Sequence, residues 1–99
     1  MYLSRRKTAP TDGTEISFPL LECWNPMTRV ATIAAEVNKK RVLCRISMDV
    51  LVKRFRASPD KPMRAVAENR LVLRAAAKKL IESGAYEEDG SIVIRQRDF

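Results

Sequence analysis

Apolar and polar positions alternate along this chain with two different periods. The change of period separates a sheet-forming first half from a helical second half. Ile16 and Phe18 alternate with Glu15 and Ser17, which predicts a short strand stopped by Pro19. Leu20, Leu21, Cys23 and Trp24 form an apolar patch ahead of an Asn25-Pro26 turn. Trp24 is the only tryptophan and reads as a lid on the core. Arg29–Val37 and Lys40–Ser47 predict a β-hairpin turning at Asn38-Lys39, because asparagine tolerates left-handed dihedrals. Such a turn pairs Ala35 with Val42, Ile33 with Cys44 and Ala31 with Ile46, all on one face. Glu36 and Arg41, and Thr32 and Arg45, then fall on the other. A slip of one residue would bury Arg41 and Arg45, so the register is well specified. The alanines at 31 and 35 leave room for a helix to lie close.

After Ser47 the period lengthens. Ser47 is placed to cap a short helix, with Asp49 in its first turn, where it favours the helix dipole. Met48, Leu51, Val52 and Phe55 make its apolar stripe. Ala57–Pro62 is a loop, and Ser58-Pro59 or Asp60 is the expected cap of the next helix. From Met63 to Ala85 the helical period runs on to Gly84, predicting one long helix. Met63, Val66, Leu73, Ala77, Leu80 and Ile81 converge on its inner stripe. Arg70 falls inside that stripe, and a covered guanidinium needs a partner. It reads as a buried structural ion pair, with Glu22, Asp49 or Asp98 as candidate partners. On the outer face, Leu71, Val72 and Ala75 form a second apolar strip among Arg64, Glu68, Lys79 and Glu82. That strip is a candidate interaction surface for a protein partner or a second copy of the chain. Isolated exposed apolar residues are its plainer explanation. Glu87–Gly90 is a turn, and Ser91–Arg97 a final strand that must return to the sheet to bury Ile92 and Ile94.

The expected fold class is α+β. A small, mainly antiparallel sheet in β-β-β-α-α-β order carries one short and one long helix on one face. Residues 1–13 are expected to be a flexible tail, rich in polar and turn-forming residues, and 14–99 a single domain.

Charge narrows the functional classes. The 99 residues carry a net charge of +7 and no histidine. Seven basic residues and one acidic residue lie between Lys39 and Arg56. Lys39, Lys40, Arg41, Arg45, Lys53 and Arg54 are therefore candidate contacts to nucleic acid, aided by Arg5, Arg6 and Lys7. A β-ribbon can enter a major groove, and recognition would be mostly of phosphate. The alternative is a solvated basic surface, since no stacking aromatics interleave the charges as single-strand binders require. Without histidine the usual general base is missing, and no catalytic residues are assigned. Ser47 and Cys44 read as a cap and a small buried hydrophobe rather than nucleophiles. Cys23 and Cys44 form no C-x-x-C pair, so no metal site is expected. The glycines Gly13, Gly84 and Gly90 are isolated at turns, so there is no phosphate-cradling loop. The run Glu87, Glu88 and Asp89 lacks calcium-loop spacing and reads as a solvated acidic turn. No cofactor is implied. No apolar run reaches the length of a membrane span, and no apolar stretch follows Arg5-Arg6-Lys7 as in a signal peptide. The expected location is the cytoplasm.

Taken in order, Val42-x-Cys44-x-Ile46-Ser47, Leu51, Asn69-Arg70, Ala76, Ile81, Gly90-Ser91-Ile92-Val93-Ile94 and Asp98-Phe99 resemble a known pattern. It is that of an uncharacterised proteobacterial family of small α+β proteins, domain of unknown function 1488. The resemblance spans Thr14 to Phe99 and lies in order and spacing. It implies a small α+β fold and a bacterial cytoplasmic protein, with no activity and no functional residues to carry over. The leading expectation is thus a non-enzymatic interaction module, and the alternative an electrostatic, weakly sequence-specific nucleic-acid binder.

Overall fold

The computed structural model describes residues 15–99. The expected tail at 1–13, with Arg5, Arg6 and Lys7, lies outside the described residues. Five strands are described: β1 (Ile16–Ser17), β2 (Glu22–Asn25), β3 (Val30–Val37), β4 (Lys40–Ser47) and β5 (Ile92–Ile94). Between β4 and β5 come three helices, α1 (Met48–Phe55), α2 (Pro62–Glu68) and α3 (Arg70–Glu82). A 3₁₀ turn, Gln96–Asp98, follows β5.

The β3–β4 hairpin is the centre of the sheet. Its register pairs Ala31 with Ile46, Ile33 with Cys44 and Ala35 with Val42, and all six side chains are buried. Glu36 and Arg41 are partners on the opposite face, 3.1 Å apart. Asn38 and Lys39 have φ of 50° and 71°, the two positive values that a two-residue type I′ turn requires. Asn38 also holds the start of the sheet. Its Oδ1 accepts from the Glu15 N–H, and its own N–H donates to the Glu15 carbonyl. Along the far edge of β3, β1 and β2 lie end to end, both antiparallel. On the other side β5 pairs with β4 in parallel, setting Ile92 beside Cys44 and Ile94 beside Ile46. A parallel neighbour needs a long crossover, which the three helices supply.

The helices cover one face of the sheet. Leu51, Val66, Leu73, Ala77 and Ile81 join the hairpin's apolar face in one core. Ala31 and Ala35 are fully covered within it, as their small size foreshadowed. Burying each large aliphatic side chain contributes roughly 1.5–3 kcal/mol, against at most about 1 kcal/mol for an exposed ion pair. The core therefore decides the fold.

The predicted long helix is interrupted. Asn69 adopts φ −117° and ψ 24°, outside helical values, so α2 and α3 are separate elements. Both its backbone N–H and its side-chain Nδ2 donate to the Ala65 carbonyl, at 3.0 and 2.8 Å. A side-chain amide competing for the ladder's acceptor is a recognised cause of such breaks. The apolar stripe survives because Val66 and Leu73, one on each side of the break, both reach the core.

Other boundaries differ more locally. Ser47 caps α1 as predicted, accepting from the Val50 N–H at 3.3 Å. Val52, expected on the buried stripe, is instead 39% exposed, and Val50 packs against the core. Neither Ser58 nor Asp60 caps α2: Lys61 holds the cap position and makes no side-chain bond there. The last strand stops at Ile94, because the Asp98 carboxylate accepts from the Arg95 N–H and closes a turn. The patch before Asn25 includes a strand, β2, while Leu20 and Leu21 remain exposed. Gly84, with φ 72°, ends the helical region as predicted, just beyond the α3 cap at Ser83.

Lys39 occupies a left-handed conformation that a side chain disfavours and glycine does not. Lys39→Gly is expected to raise stability by about 0.5–1 kcal/mol after the added freedom of the unfolded chain is offset. Chemical denaturation of the two proteins measures this directly.

Candidate interaction surface

The outer strip of α3 follows from helical geometry. With Leu73, Ala76, Ala77 and Ile81 buried, positions 71, 72 and 75 must point outward. Leu71 is 81% exposed and Val72 47%, with Ala75 exposed beside them. The structure brings these three predicted residues together on one ridge.

Val72 and Ala75 also line an open groove of about 410 Å³ between α3, α1 and the end of the 3₁₀ turn. Ala76 and Phe99 complete its apolar lining, and Arg54, Lys78 and Lys79 stand around it. Phe99 is fixed there by two contacts. Its ring meets Phe55 edge-on at 5.2 Å between centroids, and the Arg54 guanidinium lies 5.6 Å from its centroid. A second concavity, lined by Asn69, Arg70 and Leu71, continues the groove past Val72. Sequence reasoning missed Phe99 and Lys78 as parts of this surface, because only the tertiary fold brings the 3₁₀ turn to α3.

Arg70 meets Glu22, one of its three candidate partners. Nε donates to Oε2 at 2.6 Å and Nη2 to Oε1 at 2.9 Å, a bidentate fork. Glu22 is nearly covered, with 12% of its side chain exposed, while Arg70 keeps 31%. The pair joins α3 to β2 one residue after the helix break. The hydrogen bond from Arg70 holds the Glu22 carboxyl below its ordinary range, outweighing the opposing effect of burial. Nearby, the Arg74 guanidinium lies 5.7 Å from the Phe18 ring centroid.

The basic block from Lys39 to Arg56 does not form one surface. Lys39 and Lys40 sit at the hairpin tip. Arg41 and Arg45 lie on the open face of the sheet, and Lys53 and Arg54 on α1 at the far end of β4. The strand between tip and helix is about 23 Å long. Three of the six candidate cations are neutralised: Arg41 by Glu36 and Arg45 by Asp89, both at 3.1 Å, and Lys53 by Asp49 at 3.3 Å. The acidic turn expected to be solvated is thus partly bound to the sheet. Glu87 also reaches Arg95, at 3.6 Å. The Ser91 hydroxyl and N–H, with help from Arg45, hold the Asp89 carboxyl down to about 2. The basic block at mid-chain and the acidic run at residues 87–89 were the available signal for this pairing.

The candidate nucleophiles have structural roles. Cys44 is buried in the core, and desolvation pushes its thiol up to about 11, so no thiolate forms at neutral pH. The Ser47 hydroxyl is engaged in capping. Cys23 is exposed on the open face and unbonded to Cys44. Trp24 is half-buried against the core, consistent with a lid. Among the described residues no cluster of histidine, cysteine, aspartate or glutamate could hold a metal ion, and no helix is long and apolar enough to cross a membrane.

A lowered carboxyl pKa stabilises the fold above its unfolded value, and that stability is lost as pH falls through the folded value. Glu22→Gln is therefore expected to melt below wild type at pH values above 4.5, the ordinary carboxylate value, with the gap closing in acid. Arg70→Lys, which keeps the charge and loses the fork, is expected to fall between them. Thermal melts across pH test both; a gap independent of pH would mean that the pair contributes little.

Two comparisons place the chain among known proteins. The family model described as protein of unknown function (DUF1488) matches residues 16–94. A crystal structure of a protein of unknown function from the DUF1488 family, from Shewanella loihica PV-4, is similar with a TM-score of 0.73. It is 21% identical, over 80% of this chain and 90% of that one. No curated protein matches.

Proposed function

The chain belongs to the DUF1488 family, and within it we propose that this protein is a non-enzymatic interaction module that docks a protein through the outer face of α3. The observation that carries this reading is the exposed ridge of Leu71, Val72 and Ala75 beside an apolar groove. A helix whose inner stripe is already buried gains nothing in folding from a second apolar strip. Keeping Leu71 in water is unfavourable by about 1.5–3 kcal/mol relative to covering it, and a partner removes that penalty. The partner is a second copy of the chain or another protein.

The electrostatic nucleic-acid reading draws less support. Phosphate neutralisation needs cations on a continuous track, whereas these are divided among a hairpin tip, a sheet face and a helix. Half of them already have carboxylate partners.

Leu71→Asp and Val72→Asp alter exposed positions, so their effect on stability is expected to stay within about 0.5 kcal/mol. Sedimentation at high concentration and affinity capture with wild type and variant as bait then read the docking role. The expected result is an association made by wild type and lost in the folded variant. Identical behaviour of the two proteins in both assays contradicts the proposal.

A further inference from the structure

We infer that the partner of this surface presents an acidic amphipathic segment, with apolar anchors for the groove and carboxylates for its rim. This specificity rests on the docking role proposed above and adds what is recognised. Cations and exposed apolar surface coincide at the groove. Val72, Ala75 and Phe99 give it an apolar lining, while Arg54, Lys78 and Lys79 surround them. Among the described residues none of these three cations is ion-paired, although Arg41, Arg45, Lys53, Arg64, Arg70 and Arg95 each have a carboxylate within 3.6 Å. Seven other described cations, Arg74 and Arg97 among them, also lack such a partner, and none of the seven lines the groove. The groove also holds two acidic side chains, Glu82 and Asp98, so its three cations exceed its carboxylates by one positive charge.

Charge selects among occupants. A second copy would bring two such cation sets together, in a chain whose net charge is already +7. The chain's own N-terminal segment carries Arg5, Arg6 and Lys7 against a single acidic residue, Asp12, before Thr14, so it is repelled too. Nucleic acid would supply the negative charge and leave the apolar lining unused. An acidic amphipathic segment satisfies both. The concavity beside Leu71 extends the surface along α3. From Arg70 to Glu82, α3 is about 18 Å long, so a helical segment of about four turns spans it.

The test uses the full chain with labelled amides and two synthetic peptides of about four helical turns. One has leucines at helical spacing and glutamates elsewhere; the other has lysines in place of the glutamates. The acidic peptide is expected to shift the amides of Val72, Ala75, Lys78 and Lys79 saturably, more weakly as salt rises, and the basic peptide to leave them in place. The doubly substituted Lys78→Gln, Lys79→Gln protein, changed only at exposed positions, is expected to bind the acidic peptide roughly tenfold more weakly. No shift at millimolar acidic peptide, an equal response to both peptides, or shifts confined to the open sheet face overturns the assignment. Shifts at the same amides that depend on protein concentration alone overturn it in favour of a second copy and leave the docking role standing. Shifts produced by a single-stranded oligonucleotide but not by the acidic peptide overturn both.

Discussion

The register of the β3–β4 ladder is the constraint on which the other contacts depend. Eight consecutive pairs join the two strands, and the alternation puts Ala31, Ile33, Ala35, Val42, Cys44 and Ile46 on one side. A shift of one residue would exchange that set for one containing Arg41 and Arg45, at the expense of most of the core. The Asn38-Lys39 turn holds the register at one end, and the Ser47 cap turns the chain into α1 at the other. The remaining strands then attach to fixed edges, β1 and β2 beside β3 and β5 beside β4. Because the opposite face carries Thr32, Glu36, Arg41 and Arg45, the helices have one face to cover.

The charges follow from that asymmetry. Arg41 and Arg45 are held away from the helices and recruit Glu36 and Asp89. On the covered side, Glu22 projects from β2 in register with Ile33 and meets Arg70 at the start of α3. This fork joins an edge strand to a helix that sequence places 48 residues away. With its inner stripe buried and its start tied to β2, α3 leaves Leu71, Val72 and Ala75 exposed among the described residues, and the segment after β5 folds back to make a groove beside them.

Legibility from sequence tracked locality. The hairpin register was readable because a period of two and the Glu36–Arg41 pair point to one alignment. The Ser47 cap was readable because its signal lies within four residues. The break at Asn69 was not, since asparagine is only mildly unfavourable in helices and the apolar stripe continues through it. The exposure of Val52 depends on how α1 is rotated against the sheet, which the stripe of an eight-residue helix specifies poorly. The candidate surface was half readable: helical period placed Leu71, Val72 and Ala75 together. The groove beside them depends on the edge-on contact of Phe99 with Phe55, between residues that share no local pattern. Likewise the basic block was continuous in sequence alone, because a strand and a helix carry its members apart.

If the ladder register governs the fold, its amides should open only when the whole domain unfolds. Native-state hydrogen exchange measures this residue by residue. The slowest amides are expected in β3 and β4, around Ile33, Ala35, Cys44 and Ile46, with exchange free energies equal to the global unfolding value. Slowest exchange in α3, with β3 and β4 opening at lower free energy, would contradict that account and place the organising interaction in the helical layer.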